Sequence, residues 1–87
     1  MFVVLAYDVQ SKRVSKVMKT VKKYLPAVQK SVYEGFITES KLKSLKKELR
    51  EIIVAENDSI VIYKFSGYGL PTKDLLGKDS EPGDYIL

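Results

Sequence analysis

FVVLAYDVQSKR, residues 2–13, opens with six apolar or aromatic residues, breaks at Asp8 and then turns basic. Four of the six are β-branched or aromatic, which is the composition of a strand. Phe2, Val4 and Ala6 alternate with Val3, Leu5 and Tyr7, so both faces of that strand are apolar. A strand covered on one side would carry polar residues at every second position, whereas this one requires cover on both sides.

Working outward, residues 11–25 read as an amphipathic helix. Val14, Val17, Met18, Val21, Tyr24 and Leu25 form one stripe, and Lys12, Arg13, Lys16, Lys19, Lys22 and Lys23 fill the remainder. Ser11 is a plausible N-cap, and Pro26 ends the helix. Residues 27–38 are β-rich and form either one bent strand or two short ones divided by a tight turn. A second helix spans about residues 39–53, capped by Thr38, with Leu42, Leu45, Leu49, Ile52 and Ile53 facing inward. Asn57 and Asp58 turn the chain into SIVIYKF, residues 59–65, a last core strand. The remaining tail, rich in Gly and Pro, reads as loop-like, with the final DYIL apolar enough to dock.

This order is that of an α+β, ferredoxin-like βαββαβ sandwich with a C-terminal extension. Residues 1–66 make the domain and residues 67–87 the tail. Two helices cover one face of such a sheet and leave the other bare. A doubly apolar first strand therefore predicts a homodimer, in which a second copy covers the open face.

Composition removes much chemistry. With no Cys and no His there is no thiolate nucleophile, no imidazole base and no zinc site of the usual kind. Carboxylates, Lys, Tyr, Ser or a hard cation such as Mg²⁺ remain. The lack of disulfides fits the cytoplasm. No apolar run is long enough to span a bilayer and no signal peptide is visible. Residues 12–50 hold twelve Lys or Arg against three Glu, whereas residues 51–87 hold seven acids against three Lys. Such a basic body fits either a polyanion partner or ordinary solvated helix faces.

Asp8 is the strongest candidate for chemistry, because functional residues often sit where a strand of an α/β unit enters a helix. It either shapes the turn, accepting from the amides of Gln10 or Ser11, or helps to hold Mg²⁺ for phosphodiester cleavage. One carboxylate holds Mg²⁺ poorly, but a two-fold axis near Asp8 would bring in a second. The residues alone favour the turn reading slightly. In VQKSVYEG, residues 28–35, Gln29, Ser31 and Tyr33 share a face and could meet phosphates or, for Tyr33, a base. An ordinary strand edge explains the same alternation. Lys12, Arg13, Lys16, Lys19 and Lys30 suit backbone contacts that read no sequence and weaken with salt.

Taken together, the strand ending Tyr7-Asp8, the basic helix after it, VQKSVYEG followed by TESKLKSLKKEL, and the closing SIVIYKF resemble the Cas2 family. These are small CRISPR-associated endonucleases of the spacer-acquisition machinery. The resemblance covers residues 1–65 and rests most on Gln29, Ser31, Val32, Tyr33 and Glu34 at this distance from a strand-terminal Tyr-Asp. It implies a homodimer with Asp8 near the axis as catalytic residue and Mg²⁺ ligand, and cleavage of RNA or DNA. Tyr7, Lys12, Arg13, Lys16, Lys19, Gln29, Lys30, Ser31 and Tyr33 would then contact nucleic acid. It also implies a role as a scaffold that holds duplex DNA between CRISPR integrase dimers, with catalysis dispensable. The family's tail often adds a strand that docks on the partner protomer. Ala27 stands where many members carry Arg, leaving Lys30 as the nearby cation. An RRM-like RNA-binding module and a toxin-like ribonuclease are the alternatives. EGFIT fails the RNP1 pattern of the first.

Overall fold

The computed structural model describes residues 1–78. Seven elements follow one another: β1 (Phe2–Asp8), α1 (Ser11–Lys22), β2 (Ala27–Gln29), β3 (Val32–Phe36), α2 (Glu39–Ile52), β4 (Ser59–Phe65) and β5 (Thr72–Gly77). They build one antiparallel sheet in the order β2-β3-β1-β4-β5, with both helices on one face. The first four strands have the ferredoxin-like arrangement, and β5 widens it by one.

The doubly apolar β1 is the central strand. Val3 and Leu5 are fully buried beneath the helices, together with Ile60 and Ile62 of β4, Tyr33 of β3 and Leu76 of β5. Val17 and Val21 of α1 and Leu42, Leu45 and Leu49 of α2 close the core from above. Phe2, Val4 and Ala6 point the other way. The register places them beside Phe36, Glu34 and Val32 on one side and Phe65, Tyr63 and Val61 on the other. Phe2 meets Phe36 edge-on at 5.2 Å and Phe65 at 6.2 Å, and Phe36 remains 82% exposed. The second apolar face required by the sequence is therefore a broad patch that the helices do not cover.

Three local expectations are refined. Residues 27–36 form two strands with a turn at Lys30-Ser31 and a register shift between Ala27 and Gln29. Ser11 is the first helical residue of α1 rather than its cap. Gln10 occupies the cap position without using its side chain, and α1 ends at Lys22, short of Pro26. Thr38 caps α2 as expected, its hydroxyl accepting from the Lys41 amide at 3.1 Å.

The tail is not all loop. Gly67 and Gly69 adopt positive φ, which lets the chain reverse, and residues 72–77 then pair along β4 of the same chain. Leu76 enters the core. Asp74, on the same face of β5, forms ion pairs with Lys46 of α2 and Lys64 of β4. The DYIL segment lies outside the described residues. No helix among the described residues is long and apolar enough to cross a membrane.

Candidate active site

Asp8 ends the central strand, and its opposite number in the β1–β4 register is Ser59. The side chain is exposed. Among the described residues its carboxylate has no hydrogen bond or ion pair. Tyr7, just before it, is half-buried, and its ring stacks on Tyr33. The Tyr7 hydroxyl donates to the Lys30 carbonyl at 3.4 Å, and its amide donates to the Ser31 carbonyl at 3.2 Å. The β2–β3 turn is thereby stitched to the end of β1. Tyr7, Asp8, Val9, Val14, Met18, Lys30 and Ser31 line one open cleft.

Of the residues singled out in the sequence, this cleft gathers Asp8, Tyr7, Lys30 and Ser31. Gln29 is exposed at the end of β2, one residue away. Lys12, Lys16 and Lys19 are exposed along one stripe of α1, opposite the buried Val17 and Val21. They form a separate basic surface rather than part of the cleft.

Two residues depart from expectation. Tyr33 does not share an accessible face with Gln29 and Ser31. The shifted pairing of β2 and the pleat of β3 turn its ring into the core, where it is 1% exposed and cannot stack on a base. Burial, with a smaller contribution from Tyr7, pushes its phenol up to about 12, so it is neutral at ordinary pH. Arg13 is not a free cation either. Its Nε and Nη2 donate to the two oxygens of Asp58 at 2.5 and 3.0 Å, and Nη2 also donates to Gln10 Oε1 at 2.9 Å. A guanidinium held in a two-point fork by a buried carboxylate is committed inside the fold.

Sequence reading missed Asp58 as anything beyond a turn residue. It is fully buried and also accepts from the amides of Gln10 at 3.0 Å and Val54 at 2.9 Å. The Arg13 fork, helped by these amides and opposed by burial, holds its carboxyl well below the usual carboxylate range. The one local signal was an acid set directly before an apolar strand, and its partner lies 45 residues away. The consequence for Asp8 is direct. Of the two amides that the turn reading offered to Asp8, Gln10 and Ser11, that of Gln10 bonds to Asp58 instead.

For a hard divalent cation, Asp8 is the available oxygen donor, since both oxygens of Asp58 are engaged. No group of three acidic side chains gathers among the described residues. Asp8 is the one carboxylate among the residues that line the cleft. A lone carboxylate is a poor seat for Mg²⁺, so a cation held at Asp8 would need further oxygen donors from outside this chain or from water.

The family model described as "CRISPR associated protein Cas2" matches residues 1–70. The chain is 39% identical to the CRISPR-associated endoribonuclease Cas2 of Dictyoglomus turgidum, and the match covers all of both chains. It is 37% identical to the protein of the same name from Pyrococcus furiosus, again over the whole of both. Among solved structures, Streptococcus pyogenes Cas2 superposes with a TM-score of 0.70 at 33% identity, covering 76% of this chain and 87% of that one. With a match across both helices and four strands, and identities of this size over full length, the chain belongs to the CRISPR-associated Cas2 family.

Proposed function

We propose that this protein is a Mg²⁺-dependent endonuclease, cleaving RNA or DNA, that serves CRISPR adaptation in the cytoplasm beside integrase dimers. One observation carries the reading. Asp8 is an exposed carboxylate at the end of the central strand with no hydrogen bond or ion pair among the described residues, and the Gln10 amide beside it is taken by Asp58. The names of the full-length relatives support a nuclease.

The working unit is a homodimer formed through the uncovered apolar face, with Asp8 of each copy close to the axis. The two Asp8 carboxylates hold the cation. Bound Mg²⁺ supplies relief of phosphate charge and a more acidic water. Lys30 and Ser31, on the rim of the same cleft, hold a phosphate beside Asp8, with Gln29 at its edge. Tyr7 fixes the wall of the cleft through its contacts with residues 30 and 31.

The test is cleavage of labelled RNA and duplex DNA by wild type and Asp8→Asn, with and without EDTA. Loss of cleavage in both the variant and the chelated enzyme, with the dimer intact by light scattering, is the expected result. An Asp8→Asn protein that cleaves like wild type overturns it.

A second reading has its own support in the exposed Lys12, Lys16 and Lys19 stripe of α1, outside the lining of the cleft. In it the protein is a non-catalytic scaffold holding duplex DNA between integrase dimers. Spacer acquisition that survives Asp8→Asn but fails on reversal of the α1 charges would favour this role.

A further inference from the structure

We infer that Asp58 is a positioning residue for Asp8, an assignment that rests on the proposed reading of Asp8 as the reactive carboxylate. With no side-chain partner among the described residues, Asp8 takes its place from the backbone on either side of it. On one side is the β1 ladder, whose last pair with β4 is Asp8 with Ser59. On the other is residue 10, whose amide is held by Asp58 Oδ1.

Asp58 directly precedes Ser59, so it sits just past the end of that ladder. Its oxygens bind the loop after Asp8 through Gln10, the first turn of α1 through Arg13, and the segment after α2 through Val54. Its carbonyl accepts from the Lys78 amide at 2.7 Å. Gln10 Oε1 accepts from the same Nη2 that donates to Asp58 Oδ1.

Apolar residues of equal volume could fill this place, often without loss of stability. They could not fix the direction of the residue 10 amide. A charge-assisted fork sets direction as well as distance. The arrangement resembles a supporting shell around a reactive ligand, where loss of support typically costs about 10–100-fold in affinity or activity. Asp58 is fully buried, which separates its role from that of the exposed lysines.

The experiment compares Asp58→Asn, Arg13→Lys and Asp8→Asn in the full-length dimer. Asp58→Asn keeps the shape but removes the charge and turns one of the two acceptor oxygens into an NH2 donor, while Arg13→Lys keeps the cation and removes the fork. The expected result for folded Asp58→Asn is a kcat reduced about tenfold or more, with KM and affinity for labelled RNA unchanged. In the metal-free protein, the NMR amide signals of Asp8, Val9 and Gln10 shift, while those of Phe36 and Ile37, at the other end of the sheet, stay in place. Arg13→Lys gives a smaller loss of kcat in the same direction.

Folded Asp58→Asn with wild-type kcat, alongside an inactive Asp8→Asn, overturns the positioning role and leaves the Asp8 reading intact. Wild-type activity in Asp8→Asn overturns both. Should Asp58→Asn fail to fold, Arg13→Lys decides. A loss of kcat with intact RNA affinity supports the role, and weakened RNA binding with unchanged kcat overturns it by returning Arg13 to the nucleic-acid surface.

Discussion

The ring of Tyr7 lies over that of Tyr33, with centroids 6.1 Å apart and planes 24° from parallel. Neighbouring strands thus share an aromatic stack beneath the helices, close to the cleft that carries Asp8. Tyr33 belongs to the interior, and its contribution is mechanical. Tyr33→Ala costs about 3–5 kcal/mol, the usual cost of truncating a buried aromatic ring, read as a lower urea midpoint. Folded Tyr33→Leu, which keeps an apolar side chain in the core but no ring, leaves affinity for single-stranded RNA unchanged in a filter-binding titration, where a base-stacking residue would weaken it.

Stability falls off at both ends of the pH scale, for opposite reasons. Asp58 is held below its ordinary range, so folding favours its charged form. Its contribution is complete above the unfolded value of about 3.9 and is lost as pH drops through the lower folded value. Tyr33 is raised to about 12, so folding favours its neutral form. That contribution is complete below about pH 10 and is lost between there and 12. Denaturant midpoints measured against pH should decline on both limbs. Asp58→Asn should flatten the acid limb and Tyr33→Phe the alkaline one.

Reversing Lys16, Lys19 and Lys22 to Glu weakens duplex binding and makes it less sensitive to salt. For duplex DNA the slope of log K against log salt falls by about 0.9 for each phosphate that the protein no longer neutralises. Fluorescence anisotropy at several salt concentrations measures it. An unchanged slope would return these lysines to the role of a solvated surface.

Gly77 has φ +86°, and a Cβ placed there would lie 2.2 Å from the Asp58 carbonyl oxygen. Backbone and space both forbid a side chain. Gly77→Ala therefore destabilises by more than about 1 kcal/mol, seen as a lower Tm, because β5 must move away from the start of β4.

Val61 lies on the uncovered side of β4, opposite Ala6 and Leu75. Val61→Arg sets a charge in the middle of the apolar patch and should yield monomer in sedimentation velocity, with cleavage lost alongside the dimer. A dimer that tolerates this change uses another surface.

What the sequence disclosed follows from the range of the forces involved. The alternation in residues 2–7, the leucine spacing of α2 and the Thr38 cap are local patterns, and each corresponds to an observed element. From its own residues β5 reads as loop, and the family resemblance alone suggested a strand there, because TKDLLG buries one leucine deeply and Asp74 finds its lysine partners on α2 and β4. Tyr33 was misplaced because a register shift at β2 breaks the alternation counted from Gln29. Asp58 and Arg13 were read as a turn acid and a surface cation because nothing nearby shows a pairing across 45 residues.

The Gln10 to Asp58 bond spans 48 residues. The loop beside Asp8 acquires its final shape only once residue 58 has been added. A nascent or truncated chain ending before residue 58 lacks this restraint. The hydrolytic potential of the protein is thereby tied to completion of its sheet, and partial products carry the carboxylate without the frame that aims it.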